Sequence, residues 1–180
     1  MAQTHSWETQ NRDDHGRWAP GPGLATRENE ERLGAIIESE AGGKGEAAMT
    51  AVGYTVLNRM RRRGATRVAD IQRHHPFAEF TKAGVVSQRI AHGILTGAIP
   101  DPTQGATHFY TPERMPKEGR LTSGLDVGGG LETVEGVKEH GVPVRNFRPS
   151  WTKTYTQRVV RDVPENVFKF YAAPAQEHIP

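Results

Sequence analysis

The sequence predicts an α+β fold that is mainly helical, and three observations support this class. Apolar residues recur at helical spacing through the first half of the chain, in stretches that glycine closes. Short runs of β-branched and aromatic residues occupy the last third, where they favour strands. The 180 residues are enough for one domain with a substantial core and short for two. We therefore expect one domain over residues 26–174, a flexible N-terminal arm at 1–25 and a C-terminal tail at 175–180.

The first helix is predicted to begin at Thr26, whose side chain can cap a helix N-terminus. Acidic residues follow in the first turn, where the helix dipole favours negative charge. The inward stripe of this helix comprises Leu33, Ile36 and Ile37. Gly42 and Gly43 are expected to end it.

Two further helices are predicted. One spans Gly45 to Arg63 and ends at Gly64, and its C-terminal arginines (Arg59 and Arg61–Arg63) are expected to be a solvated cluster that suits the helix dipole. The other spans Val85 to Leu95. Its inward residues are expected to be Val86, Ile90, Ile94 and Leu95.

Short segments make up the rest of the chain. Residues 68–80 predict a turn of helix and then a loop, and residues 106–112 predict a short extended segment. Residues 154–160 and 167–173 resemble two strands. The region from Glu113 to Val144 is rich in glycine and charge, and it predicts no element except a helical turn at Glu132–Lys138.

Composition excludes several classes of chemistry. The chain has no cysteine, which excludes disulfides, thiolate catalysis and Cys-ligated zinc. No apolar run approaches the ~18 residues of a membrane span, so no membrane partner is expected. The N-terminal stretch lacks the apolar segment of a secretory signal, so we expect synthesis in the cytoplasm. The net charge of +2 is typical of a solvated surface, and no nucleic-acid partner is expected.

Glu40 stands out because it continues the apolar stripe of the first helix. It follows Leu33, Ile36 and Ile37 at helical spacing, whereas Glu38 points elsewhere and is expected to be ordinary surface. Burial and the negative end of the helix dipole both favour a protonated carboxylic acid. Such an acid can protonate the leaving oxygen of a glycosidic bond.

The glycines beside Glu40 allow two interpretations. Without side chains there, a bulky polymer can approach the acid closely. In the alternative, Glu40 bends to the surface at a frayed helix end and the glycines are a routine C-cap. Position alone does not decide between them.

Two blocks of the sequence resemble the SleB-type cell wall hydrolases, the spore-cortex-lytic enzyme family. The first has Glu40-Ala41, a Gly-rich turn to Glu46, a helix of small apolar residues, and Val56-Leu57-Asn58-Arg59. The second is "AHGILTGAIPDPTQGATHFYTP" at 91–112, in the family's order. A weaker third block joins Trp151 to "VFKFY" at 167–171. The resemblance covers residues 30 to 172.

The resemblance implies a lysozyme-like catalytic domain that cuts peptidoglycan between N-acetylmuramic acid and N-acetylglucosamine. Family members act as lytic transglycosylases, and their catalytic glutamate maps onto Glu40. No cofactor and no metal is implied. The turn to Glu46 is longer than the family's and lacks its arginine, so Glu46 either binds substrate or only starts the second helix. The family's Gln-Phe-Ser segment corresponds loosely to the stretch around Phe77, which we assign to substrate binding.

A second carboxylate would instead favour a hydrolytic muramidase of the same fold. Candidates are Glu46, Asp101 and Asp126, although an aspartate in a Gly-rich stretch is more often a turn residue. A transglycosylase needs only one, because the sugar's own C6 hydroxyl is the nucleophile.

Sugar contacts are predicted at Thr107, His108 and Tyr110 in the second block and at Trp151 in the third. In a strand Thr107 and Phe109 share one side, and His108 and Tyr110 share the other, which we expect to face the cleft. In the alternative, the segment is a half-buried strand with a purely structural role and no ligand contact. Trp151 is expected either to stack on sugar or to cover the core.

The sequence also bears on two other classes of function, a metal-dependent enzyme and a non-enzymatic module. Zinc is not expected, because the adjacent His74 and His75 do not form the spaced pair of a metalloprotease helix, even with His108 and His140 available. A non-enzymatic structural or wall-binding module is the second class. The arm segment "NRDDHGRWAPG" resembles arms of some phage particle proteins. This resemblance predicts phage particle or tail proteins as partners. It also predicts that a phage virion carries the protein to the bacterial wall, where it acts.

Overall fold

A computed structural model describes residues 23–73, 82–120, 122 and 124–175 of the chain. Over these residues the protein has four α-helices and two small antiparallel sheets. Helical residues outnumber strand residues, so the predicted α+β, mainly helical class is confirmed. None of the helices in these ranges is both long and apolar enough to cross a membrane.

The helices are α1 (Arg27–Ala41), α2 (Glu46–Arg63), α3 (Val68–Gln72) and α4 (Val85–Thr96). Helix α1 begins as predicted, because the Thr26 side chain accepts a hydrogen bond from the backbone N–H of Asn29. Helix α2 ends as predicted at Gly64, which adopts the left-handed conformation with φ of 63°. The predicted bounds of α1, α2 and α4 are therefore confirmed.

Helices α1, α2 and α4 pack around one apolar core. Helix α2 contributes Gly53 at the point of closest approach, where an added Cβ would lie 2.8 Å from Ile37 Cδ1 and 2.6 Å from Ile94 Cδ1. The missing side chain allows the three helices to meet. One predicted inward residue is wrong: Val86 is 39% exposed, because the buried position in the first turn of α4 belongs to Ser87.

A three-stranded sheet combines one strand from the middle of the chain with two strands near its C-terminal end. Its strands are β1 (His108–Tyr110), β4 (Thr156–Arg158) and β5 (Lys169–Ala172), in the order β1-β5-β4. Phe109 pairs with Phe170 across β1 and β5, and its ring packs on Phe168 at 5.5 Å. The three predicted extended segments are thus confirmed, and one face of the sheet joins the core.

A separate hairpin comprises β2 (Leu131–Glu139) and β3 (Val142–Phe147). The predicted helical turn at Glu132–Lys138 is therefore wrong. The loop between the strands consists of His140 and Gly141, both with positive φ (49° and 81°), as in the tight turns whose twist matches that of a hairpin. That turn sets Glu139 opposite Val142 and makes the segment a strand.

One residue of the predicted arm packs into the hydrophobic core. Leu24, which we assigned to the arm, is 7% exposed and belongs to the hydrophobic core. Residues 1–22 of the predicted arm (1–25) and residues 176–180 of the predicted tail (175–180) lie outside the described residues.

Candidate functional site

Glu40 lies in the last turn of α1, next to the buried Ala41, and is itself half-buried. The helix ends at Gly42, whose N–H donates to the Glu38 carbonyl oxygen at 2.9 Å. An added Cβ on Gly42 would lie 2.4 Å from that oxygen, and Gly43 has φ of +76°. The backbone therefore requires both glycines, which explains them without a ligand.

Arg59 joins α2 to the segment before β1 and lies within electrostatic range of Glu40. Its Nε donates a hydrogen bond to the backbone oxygen of Thr107. Burial lowers the pKa of Arg59 to about 10, while the nearby Tyr155 and Glu40 act in the opposite direction. Arg59 is 9% exposed, so the prediction that it belongs to a solvated cluster is wrong, although Arg62 is exposed as expected.

Asn58 holds the loop that leads into β1. Its Nδ2 lies within hydrogen-bond distance of Asp101 Oδ2 at 3.0 Å, Thr103 Oγ1 at 3.3 Å and Ala106 O at 3.0 Å. Asp101 also accepts from the backbone N–H groups of Thr103 and Gly105. Asp101 thus builds this loop, and the two main blocks of the sequence that we singled out meet in space here.

Five rings from β1, β5 and the segment around Trp151 form one aromatic cluster. The Trp151 ring lies at its centre, with ring centroids 5.3 to 5.8 Å from each of the others. The members of the aromatic cluster are His108, Tyr110, Trp151, Tyr155 and Tyr171.

The aromatic cluster has a buried layer and a partly exposed layer. Tyr110 and Tyr171 are 7% and 4% exposed. His108, Trp151 and Tyr155 are half-buried. The predicted alternation along β1 is confirmed, because His108 and Tyr110 both contact Trp151 whereas Phe109 contacts the core. The rings available to a ligand are those of the partly exposed layer.

Thr107 and Tyr110, both predicted to bind substrate, lie in supporting positions. Thr107 is 5% exposed, and its Oγ1 lies 3.0 Å from His108 Nδ1 and accepts from the backbone N–H of Ala173. The Tyr110 hydroxyl donates to Glu132 Oε1 at 2.7 Å. These contacts fix the orientation of the rings that are more exposed.

Sequence reasoning missed the group that holds Tyr110. Glu132 on β2 accepts from the Tyr110 hydroxyl and pairs with Lys169 Nζ at 2.6 Å, and the two charged side chains are 10% and 16% exposed. Burial, and then the hydrogen bond to Glu132, raise the pKa of Tyr110. The predicted helical turn concealed Glu132, and because β2 shows no regular alternation of buried and exposed residues, the sequence offered no signal for it.

Other assigned residues lie apart from this arrangement or outside the described residues. Glu46 is the first residue of α2, is exposed, and forms an ion pair with Arg89 at 2.8 Å. Phe77 lies outside the described residues. Asp126 accepts hydrogen bonds from Ser150 and from the N–H of Gly128, as a turn aspartate does.

Glu38 is not ordinary surface, contrary to our expectation. It is half-buried, and its Oε2 accepts from Ser87 Oγ at 2.7 Å and from the backbone N–H of Gly84 at 3.1 Å. Helix α4 has no side-chain cap of its own at Gly84. Glu38 therefore supplies the negative cap from a neighbouring helix.

Two surface cavities lie elsewhere in the fold. One of about 240 Å³ is lined by Pro112, Thr133, Val134, Glu135, Glu165 and Lys169. The other, of about 420 Å³, is lined by Arg32, Arg67, Ala69, Gln72 and Arg73. Neither is lined by Glu40 or by the aromatic cluster.

Metal-ligating side chains do not gather in the part of the chain that the structure describes: no group of three or more His, Asp or Glu could hold an ion there. His108 lies in the aromatic cluster and His140 in the β2–β3 turn, while His74 and His75 fall outside the described residues.

Comparisons of the chain with protein-family models, with curated proteins and with solved structures found no significant match.

Proposed function

We propose that this protein degrades peptidoglycan, cleaving the bond between N-acetylmuramic acid and N-acetylglucosamine as a lytic transglycosylase with Glu40 as its acid and base. The observation that carries the proposal is the position of Glu40. It is a half-buried carboxyl group at a helix end, close to Arg59, which is bonded to the residue before β1. The proposal also rests on the sequence resemblance to SleB-type hydrolases and includes their lysozyme-like fold.

The first step is proton transfer from Glu40 to the bridging oxygen. The bond from that oxygen to C1 of the muramic acid ring breaks, and positive charge develops at C1. The leaving sugar departs with the proton as its new hydroxyl hydrogen. The Arg59 guanidinium then stabilises the carboxylate that Glu40 has become.

The second step closes a ring within the substrate. The C6 hydroxyl oxygen of the muramic acid attacks C1, and the Glu40 carboxylate removes the proton of that hydroxyl. The product has a 1,6-anhydro end, and Glu40 is protonated again. No water is consumed, so one carboxyl group completes the cycle.

The surroundings of the other acids support a transglycosylase over a hydrolytic muramidase. Asp101 and Asp126 each accept several hydrogen bonds within their own loops. Glu46 is exposed and paired with Arg89. Each of these three carboxylates therefore has a structural role in the described part of the chain.

The half-buried rings of the aromatic cluster supply a surface on which pyranose faces can stack. His108 and Trp151 are the proposed contacts, with Thr107 and Tyr110 behind them. Glu46 and Phe77 remain proposed substrate contacts. Action on the bacterial wall, and carriage on a phage particle through the N-terminal arm, belong to the same proposal.

Purified sacculi provide the test. Wild-type protein should release muropeptides with 1,6-anhydro ends, identified by mass spectrometry, and Glu40→Gln should release none while keeping its thermal unfolding midpoint. Glu31→Gln is the matched control, because it neutralises an exposed carboxylate on the same helix. Muropeptides with reducing ends would instead indicate a hydrolytic muramidase. Binding to sacculi without any release would indicate a non-enzymatic wall-binding module.

A further inference from the structure

The Glu132 carboxylate joins the β2–β3 hairpin to the sheet that carries the aromatic cluster. Its two oxygens accept from different partners: Oε1 from the Tyr110 hydroxyl at 2.7 Å and Oε2 from Lys169 Nζ at 2.6 Å. Tyr110 lies on β1 and Lys169 on the adjacent β5, where the two residues are cross-strand partners. One side chain on the hairpin therefore fixes one residue on each of two paired strands.

The ion pair between Glu132 and Lys169 has a larger desolvation cost than a purely structural contact requires. Glu132 and Lys169 are 10% and 16% exposed, and removing two such charges from water costs free energy that a well-packed apolar pair would not. The cost is offset only when the geometry is good and the remaining lone pairs are satisfied. The Tyr110 hydroxyl supplies that additional hydrogen bond.

The bonded Tyr110 ring lies directly behind Trp151. Their centroids are 5.8 Å apart and their planes meet at 79°, an edge-to-face contact. Tyr171, the other buried ring, contacts Trp151 at 5.3 Å and 81°. Without the bond to Glu132, the Tyr110 ring would be held less firmly by its packing against Trp151 and Tyr171, and the indole would lose part of its support.

We propose that Glu132 is a positioning residue that orients Trp151 for sugar stacking, by holding Tyr110 through its hydroxyl. The inference rests on the proposed function for its substrate, a glycan strand, but its geometry stands on the residues of the hairpin and the sheet. Glu132 does not touch the sugar. It lowers the entropy that the stacking surface loses when a pyranose binds.

The test uses the full chain with Trp7→Phe and Trp18→Phe, so that Trp151 is the sole tryptophan. Two variants break the connection from opposite sides: Glu132→Ala removes the acceptor, and Tyr110→Phe removes the donor but keeps the ring. Glu139→Gln is the matched control, an exposed carboxylate on the same strand that pairs with Lys117. The readouts are acrylamide quenching of Trp151 and the sacculus concentration that gives half-maximal release.

Both connection variants should increase the quenching of Trp151 and raise the half-saturating sacculus concentration by about 3- to 10-fold, with the maximal rate changed by less than about twofold. The control should match the parent in both readouts. Because Tyr110→Phe changes one buried oxygen atom, it remains informative if Glu132→Ala fails to fold.

Unchanged quenching and unchanged half-saturation in a folded Tyr110→Phe would overturn the positioning role, whatever its thermal midpoint. A 3- to 10-fold fall in the maximal rate of Tyr110→Phe, with its half-saturating sacculus concentration unchanged, would also overturn the positioning role. Failure of the parent to act on sacculi would overturn the proposed function instead, and the quenching of Trp151 would still decide whether Glu132 orients that ring.

Discussion

Arg59, near the C-terminal end of α2, donates its Nε–H to the backbone oxygen of Thr107, the residue immediately before β1. This hydrogen bond connects the helical core to the three-stranded sheet at the start of β1. The same guanidinium lies within electrostatic range of Glu40 and Tyr155. Loss of this guanidinium would therefore remove a positive charge from near the proposed acid and a hydrogen bond from the start of β1.

Arg59→Lys should lower the free energy of unfolding by about 1–3 kcal/mol, because lysine has a methylene group where Arg59 has the Nε–H that donates to Thr107 O. It should also reduce sacculus digestion, since Glu40 loses a positioned cation. Urea denaturation measures the first effect. Arg62→Lys, exposed on the same helix, should stay within about 0.5 kcal/mol of wild type. Equal effects at both positions would contradict the assignment of Arg59.

Glu38→Ala should destabilise the protein by about 1–2 kcal/mol, because Gly84 N–H and Ser87 Oγ lose the carboxylate that caps α4. Glu38→Gln should lose less, since its amide oxygen can still accept while the charge is gone. Urea denaturation again provides the measurement. Glu31→Ala, which removes an exposed acid from the same helix, is the control. If Glu31→Ala lowers the free energy of unfolding as much as Glu38→Ala does, the Glu38 cap makes no specific contribution.

Gly53→Ala should destabilise by about 1–3 kcal/mol despite the better helix propensity of alanine. The new Cβ would lie 2.6 Å from Ile94 Cδ1 and 2.8 Å from Ile37 Cδ1, distances that packed carbon atoms do not adopt. Adding Ile94→Val removes that Cδ1 and should recover part of the loss. Thermal and urea unfolding of the single and double variants measure this coupling, and strict additivity would rule out the clash.

Helical spacing was enough to predict α1, α2 and α4, because their buried stripes are continuous in the sequence and glycines mark their ends. The β2–β3 hairpin was not predicted. Its strand contains Gly136 with φ of +73°, and its register shifts between Thr133 and Lys138, so no simple alternation appears. The positive φ of His140, which closes the turn, is not apparent from the residue type.

In the candidate site, too, features set by local backbone geometry could be predicted from the sequence, and contacts between distant residues could not. The position of Glu40 on the stripe and the shared side of His108 and Tyr110 follow from local periods of the backbone. The burial of Arg59 depends on a carbonyl 48 residues away, and the contact between Tyr110 and Glu132 spans 22 residues. Such partners are set by how separate elements pack, and no local pattern encodes them.

The acid dependence of stability should depend on Asp126. Although partial burial acts to raise it, hydrogen bonds from the hydroxyl and N–H of Ser150 and from the N–H of Gly128 hold the pKa of Asp126 below its usual 3.8. The stability from these bonds is fully present above the unfolded value. It is lost as the pH falls through the lower folded value.

Asp126→Asn should therefore be less stable than wild type near neutral pH, and the two should converge as the solution is acidified. Urea midpoints recorded from about pH 7 to about pH 2.5 measure this convergence. Glu28 and Glu139 also have lowered pKa values and act in the same direction, so the difference between variants, not the absolute slope, carries the information. Glu135→Gln, exposed on β2, should parallel wild type throughout. A gap between wild type and Asp126→Asn that stays constant across the range would contradict a role for the ionised carboxylate in binding Ser150.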